Sequence, residues 1–226
     1  MLRGVFLDMH STLGYVENPI TPVEIAELLV DSGYEVSPQA WRVASHFVGI
    51  VDFPKLKFPN EHSYLRHVCF RLGIEIDEET LNRLVELFKR REYYKLYPEA
   101  IDAVKTIREL GLKIAIATTI PKFRFKLIIE ALSPYIDFVM TGAEAECDKS
   151  NPKMYLKLLR ILKLTPESVV VVGDEDYVDV ILPKKLGMRA IQIIRENGKK
   201  CKLADAYVTN LIDAAKIIEK WIREEY

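Results

Sequence analysis

Asp8, Thr118, Lys149, Asp174 and Asp179 together suggest a chemistry of anion handling. Asp8 closes the apolar run Val5-Phe6-Leu7, and Asp174 follows Val170-Val171-Val172-Gly173. A carboxylate at the C-terminal tip of a buried strand points into the crevice where open α/β sheets bind ligands. It can serve there as nucleophile, base or metal ligand. A carboxylate pair suits Mg²⁺, which takes one or two such groups together with substrate phosphate. Lys149 offers a point charge for a phosphate, and the hydroxyl of Thr118 a hydrogen-bond donor. Each residue also has an ordinary structural role. Gly-Asp is common turn chemistry, which would account for Asp174. A carboxylate near a helix N-terminus is favoured by the dipole, which would account for Asp179. Thr119 and Lys153 are local rivals of Thr118 and Lys149, and the alternation of a strand lets only one threonine face a site.

Strand-like and helical patterns alternate after residue 97. Ala100, Ala103, Val104 and Ile107 repeat at the spacing of one helix face. Gly111 stands where a C-cap belongs. Residues 112–117 form a short apolar strand ending at Thr118-Thr119, residues 122–132 a helix, and residues 136–140 another strand. Asn151-Pro152 opens a helix that runs to about Leu162. Val169–Val172 is a strand stopped by Gly173-Asp174; a helix to about Leu186 follows it, and residues 189–194 make a further strand. Residues 206–209 form an edge strand, and a terminal amphipathic helix begins at Asn210. This alternation implies βαβ units and a mostly parallel sheet.

Residues 14–97 differ. Thr21-Pro22-Val23-Glu24 reads as a capping box with proline at N1, and Ser37-Pro38 starts another helix. Leu81, Leu84, Val85 and Phe88 make a helical stripe, with no convincing buried strand between Tyr15 and Tyr97. The expected architecture is therefore α/β: a Rossmann-like core of residues 1–13 and 98–226, with an inserted helical cap of residues 14–97.

The chain of 226 residues carries 32 basic and 33 acidic residues, a formal net charge of -1. That balance offers no electrostatic case for nucleic acid. No apolar run approaches the roughly 18 residues of a membrane span, and the strand-like N-terminus is unlike a signal peptide. Cys69, Cys147 and Cys201 are odd in number and widely spaced. They read as reduced thiols of a cytoplasmic protein. The expected partner is a small-molecule substrate, and the expected state is a monomer or homodimer.

Four segments, in order, resemble the motifs of the haloacid dehalogenase (HAD) superfamily. Asp8-Met9-His10-Ser11-Thr12-Leu13 resembles its first motif, D-x-D-[GST]-T-[LV]. The strand ending at Thr118 resembles the second. Lys149-Ser150-Asn151-Pro152 resembles K-P-x-P, and Gly173-Asp174 through Asp179 matches G-D-x-x-x-x-D. The inserted helices are similar to a C1-type cap, and segment 119–148 is too short to hold a second large one. Two departures stand out: His10 replaces the second Asp of the first motif, and Thr119 replaces a common Asn.

The resemblance implies a Mg²⁺-dependent phosphatase acting on a small phosphorylated metabolite. Asp8 would attack phosphorus and form an aspartyl-phosphate. Asp8, Asp174 and the backbone carbonyl of His10 would hold the metal, with Asp179 orienting that site. Thr118 and Lys149 would steady the phosphoryl group, with Thr119 as an alternative substrate contact. The His10 ring would act as acid and base near its ordinary pKa of about 6.5, or stand by while its carbonyl binds metal. Arg42 matches the region of a cap arginine that meets substrate in family dehalogenases; its ordinary reading is a solvated surface arginine. His46, His62 and His67 read as ordinary cap histidines, and Tyr93, Tyr94 and Tyr97 as packing of the hinge. Two rival functions stay open. One is a metal-independent 2-haloacid dehalogenase, to which His10 points and Gly173-Asp174 does not. The other is a HAD-like binding protein impaired by the loss of the acid–base Asp.

Overall fold

A computed structural model describes residues 1–195 and 198–224. The central sheet contains six parallel strands: β1 (Gly4–Leu7), β4 (Lys113–Ala117), β5 (Phe138–Met140), β6 (Val169–Gly173), β7 (Arg189–Ile193) and β8 (Ala206–Val208). Their order is β5-β4-β1-β6-β7-β8. Alternate residues supply two cores. Val5, Leu7, Ile114, Ile116, Val170 and Val172 face one side, under helices α6 (Ala100–Glu109), α7 (Lys126–Leu132) and α11 (Leu211–Glu224). Phe6, Ala115, Ala117, Val169 and Val171 face the other, under α8 (Gly142–Ala145), α9 (Lys153–Leu162) and α10 (Leu182–Lys185). Burial on both faces explains why these strands read as continuous apolar runs and not as alternating ones.

The register places the strand ends together. Leu7 pairs with Ile116 of β4 on one side and with Val172 of β6 on the other. Chain order reverses around β1, so the crevice outside its C-terminal end is the topological switch point of the sheet.

Between β1 and β4 lie α1 (Pro22–Asp31), α2 (Pro38–Phe47), α3 (Phe53–Leu56), α4 (Glu61–Arg71) and α5 (Glu78–Arg91), most of which share a separate apolar core around Trp41, Leu65, Leu81 and Leu84. The capping box at Thr21 is formed, and Ser37 Oγ accepts from the Ala40 amide at 3.1 Å. A π-helical turn over Val48–Asp52 joins α2 to α3.

The structure differs from the sequence reading at three places. A two-stranded antiparallel ribbon, β2 (Gly14–Tyr15) with β3 (Lys95–Leu96), ties the ends of the insertion together. Two residues are too few for a periodic signal. A Cβ on Gly14 would lie 2.5 Å from the Lys95 carbonyl, so glycine permits this approach. The helix after Asp174 is instead a π-helical turn, Asp176–Ile181, followed by the short α10. The helix expected over 122–132 opens as a 3₁₀ turn at Lys122–Phe125. Of the expected core span, residues 196–197 and 225–226 lie outside the described residues. Among the described residues no helix is long and apolar enough to cross a membrane. Cys69, Cys147 and Cys201 are all free thiols.

Candidate active site

Asp8 leaves the end of β1 and donates its amide to the Val172 carbonyl at 2.9 Å. That bond holds it beside the end of β6, where Asp174 follows Gly173. Asp179 comes back to the same point from the π-helical turn; its Oδ2 accepts from the Glu175 amide at 3.1 Å. Asp8, Asp174 and Asp179 each offer an oxygen within 4.8 Å of the others. Asp8 and Asp179 are buried and Asp174 is half-buried.

Gly173 is required for this convergence. A Cβ there would lie 2.2 Å from Asp179 Cγ, so any side chain displaces that carboxylate. Tyr155, stacked on Phe6 in the core, donates to the Val178 carbonyl at 2.7 Å and supports the same turn.

Lys149 is buried between two of the acids. Its Nζ bonds Asp8 Oδ1 and lies 2.6 Å from Asp179 Oδ1. Burial alone would lower the Lys149 pKa, but Asp179 and Asp8 overcome that and hold it charged. Lys153, its rival in the sequence, is exposed and pairs with Glu146 at 3.2 Å. Thr118 is buried and accepts from the Ile120 amide at 3.2 Å. Thr118 and Thr119 both line the cavity above Asp8, contrary to the alternation expectation, because β4 ends at Ala117 and the chain has left the pleat.

Three carboxylates surround one ammonium, so the ionised site carries excess negative charge. Burial pushes the Asp8 carboxyl up to about 8 against the pull of Lys149, with Asp179 and Asp174 adding to the rise. Burial pushes Asp174 up to about 6, with Asp179 adding. A carboxyl raised above its ordinary value of 3.8 takes up a proton on folding, so the stability it lends is lost as pH rises through the folded pKa. In metal-free buffer the melting temperature should therefore fall from about pH 5 to pH 8 and level off above that. A melting temperature that rises across this window would show that the acids are not packed against one another.

His10 lines the cavity over Asp8 and is paired with Tyr94. Its Nδ1 lies 3.2 Å from the Tyr94 hydroxyl, with the two rings edge to face. Burial pushes the Tyr94 phenol up to about 12, so it keeps its proton and shares this bond with the imidazole. Burial, then the Arg124 guanidinium, lower the His10 pKa, which leaves the ring neutral at pH 7.

The cavity over Asp8 measures about 500 Å³. A second, of about 360 Å³, adjoins it and shares His46, Ile50, Thr119 and Ile120 with it. Arg42, exposed, lines the second cavity and not the one at Asp8. Sequence reasoning missed His46 and Tyr94 as lining groups, and it missed Arg124 altogether. His46 borders both cavities, whereas His62 and His67 pair with Glu78 and Asp52. Of the tyrosines assigned to the hinge, Tyr97 does pack on Tyr15, but Tyr93 bonds Glu61 and Tyr94 reaches His10. Arg124 pairs with Glu92 at 2.6 Å and lies over the Tyr94 ring. The sequence held no signal for these contacts, which join elements far apart in the chain.

The donor set fits a hard divalent cation. Its side-chain donors are carboxylate oxygens, it carries buried negative charge in excess, and it borders a cavity. Residues 2–187 match the family described as haloacid dehalogenase-like hydrolase. The chain is 30% identical to a glyceraldehyde 3-phosphate phosphatase of Methanocaldococcus jannaschii over 97% of this chain and all of that protein. It is 31% identical to a phosphoserine phosphatase of Thermus thermophilus over 58% of this chain and 55% of that protein. It spans about half the length of that relative and of two others, at 45% and 53%. Among solved structures, a HAD phosphatase from Thermococcus onnurineus superposes with a TM-score of 0.69 at 23% identity, covering 96% of this chain and 98% of that one. A 2-haloacid dehalogenase from Pseudomonas syringae pv. tomato gives 0.69 at 20%, covering 98% and 100%. Likeness at that identity shows the fold alone. With the strand-end carboxylates, the match over residues 2–187 and the full-length relative, the chain belongs to the haloacid dehalogenase-like hydrolases.

Proposed function

We propose that this hydrolase is a Mg²⁺-dependent phosphomonoesterase acting on a small phosphorylated metabolite. The observation that carries the reading is the gathering of Asp8, Asp174 and Asp179 around Lys149 at the mouth of a cavity. Phosphatases among the relatives support it. Asp8 and Asp174 are the proposed ligands, with the His10 carbonyl, and Asp179 orients them and Lys149. The cation would neutralise the carboxylates and draw negative charge off the phosphoryl oxygens.

Asp8 is the nucleophile: its free oxygen attacks phosphorus, the P–O ester bond breaks, and an aspartyl-phosphate forms on Asp8. Water then cleaves the new bond and releases inorganic phosphate. This divides one difficult displacement into two. Lys149 and the Thr118 hydroxyl hold phosphoryl oxygens as charge shifts, the electrostatic contribution on which phosphoryl transfer mostly depends. The His10 ring, which lines the cavity and is held by Tyr94, is the proposed relay: it passes a proton to the leaving oxygen and takes one from the attacking water. The rest of the substrate extends into the second cavity past Thr119, His46 and Arg42. In this reading residues 1–13 and 98–226 form the catalytic core, and residues 14–97 form a cap that covers it and selects the substrate.

The dehalogenase reading gives no reason to gather three acids, because a carbon–halogen displacement leaves no phosphoryl charge to balance. Two assays run side by side separate the functions. Hydrolysis of 4-nitrophenyl phosphate should require Mg²⁺, and 2-chloropropionate should release no chloride. Chloride release that survives EDTA would establish the dehalogenase. Phosphatase activity that appears only in His10→Asp would establish the impaired binding protein.

A further inference from the structure

The end of β7 and the residues just after it carry no family motif, and they lie beyond the matched residues 2–187. Yet two side chains there reach both loops that carry the acids. Arg195 stands against the Asp8 loop. Its Nη2 donates to the Thr12 carbonyl at 2.6 Å and its Nε to the Ser11 carbonyl at 3.2 Å. Its Nη1 donates to Glu99 Oε1 at 2.6 Å, and the guanidinium stacks 3.4 Å over the Tyr97 ring. Gln192, buried in β7, holds the other loop. Its Nε2 donates to the Asp176 carboxylate at 2.7 Å and to the Asp174 carbonyl at 3.3 Å, and its Oε1 accepts from the Cys201 amide at 2.8 Å.

The Asp8 loop needs such support. Ser11 adopts φ 54, a left-handed conformation that a non-glycine residue holds only when its surroundings fix it. Thr12 is fully buried. The planar fork of an arginine bonds two successive carbonyls in a fixed geometry, which the flexible ammonium of a lysine does not impose. Arg195 does not line the cavity over Asp8, and its donors are directed to the loop carbonyls and Glu99. It therefore has no route to substrate except through the loop it holds.

We propose that Arg195, together with Gln192, is a positioning element that fixes the spacing between the loop bearing Asp8 and the loop bearing Asp174. This inference rests on the metal-dependent reading above. Groups that orient ligands commonly contribute 10- to 100-fold to metal affinity.

The test uses the full chain and Mg²⁺ itself, titrated by calorimetry, with kcat and KM for 4-nitrophenyl phosphate alongside. Arg195→Ala should weaken Mg²⁺ binding by about 10- to 100-fold. It should lower kcat while KM stays within about threefold, because the substrate contacts are untouched. Arg195→Lys, which keeps the charge but not the planar fork, should fall between the alanine variant and wild type. Glu99→Gln, which keeps the fork but removes its charged anchor, should weaken Mg²⁺ several-fold and covers the case in which the alanine variant does not fold. If wild type binds Mg²⁺ and the folded variants bind it equally tightly, or lose only melting temperature, the inference is overturned and the phosphatase reading stands. If wild type binds no Mg²⁺, both fall.

Discussion

Asp8→Asn should abolish turnover of a phosphomonoester, with a loss on the order of 10⁴-fold or more, the scale seen when a covalent nucleophile is removed. The amide keeps the size and shape of the carboxyl, so the bond from the Asp8 amide to Val172 and the register of β1 on β6 are unaffected. What disappears is the attacking oxygen and one negative charge in a crowded site. The charge sets the sign of the stability change. With its carboxyl pushed up to about 8 by burial, Asp8 is unfavourable to the fold when ionised, an effect that grows as pH rises from its ordinary value of 3.8 and is complete above about 8. Metal-free Asp8→Asn should therefore melt at or above the wild-type temperature at pH 9. A variant that melts well below wild type would mean the loss of activity reflects unfolding. Substantial residual turnover would remove Asp8 as nucleophile.

Gly173→Ala carries the second large effect, although the residue touches no substrate. The added methyl would sit 2.2 Å from Asp179 Cγ and 2.4 Å from its Oδ2. Asp179 is fully buried and bonded to Lys149, so it has no rotamer into which to withdraw without breaking that pair. Overpacking of this kind costs about 1–3 kcal/mol. Displacing a catalytic group by about 1 Å can cost on the order of 10²-fold in rate. The expected result is a folded protein with a lowered melting temperature, at least about 10²-fold lower kcat/KM and weakened Mg²⁺ binding. Wild-type kcat/KM in this variant would show that Asp179 does not orient the site.

The α/β fold was legible because its strands are buried on both faces. The runs at Val5–Leu7, 112–117 and Val169–Val172 stop at Asp8, Thr118 and Gly173-Asp174, and the structure brings those stops together at the reversal of strand order. Position on a strand was enough to bring Asp8, Thr118 and Asp174 to one crevice. Lys149 and Asp179 were harder, because each is delivered by a turn whose shape depends on tertiary contacts: Asp179 on the π-helical turn, and Lys149 ahead of α9. The α2 stripe buries Trp41 and Ala44 while leaving Arg42 and His46 exposed, but periodicity does not say that His46 borders the cavity at Asp8. Tyr94 and Arg195 meet the Asp8 loop from positions 84 and 184 residues away in sequence. Contacts at that separation are set by the packed fold and leave no local pattern.

In the proposed function Asp8 and Asp174, brought from distant segments and backed by Asp179, form one cation site. The decisive measurement is calorimetric titration of Mg²⁺ into the metal-free protein at pH 7, in two buffers of different ionisation enthalpy. One Mg²⁺ should bind per chain with release of protons, because Asp8 at about 8 still holds a proton there that the ion must displace. Asp174→Asn should lose most of that binding. Absence of binding to wild type, or tight binding unaltered by Asp174→Asn, would contradict the proposed site.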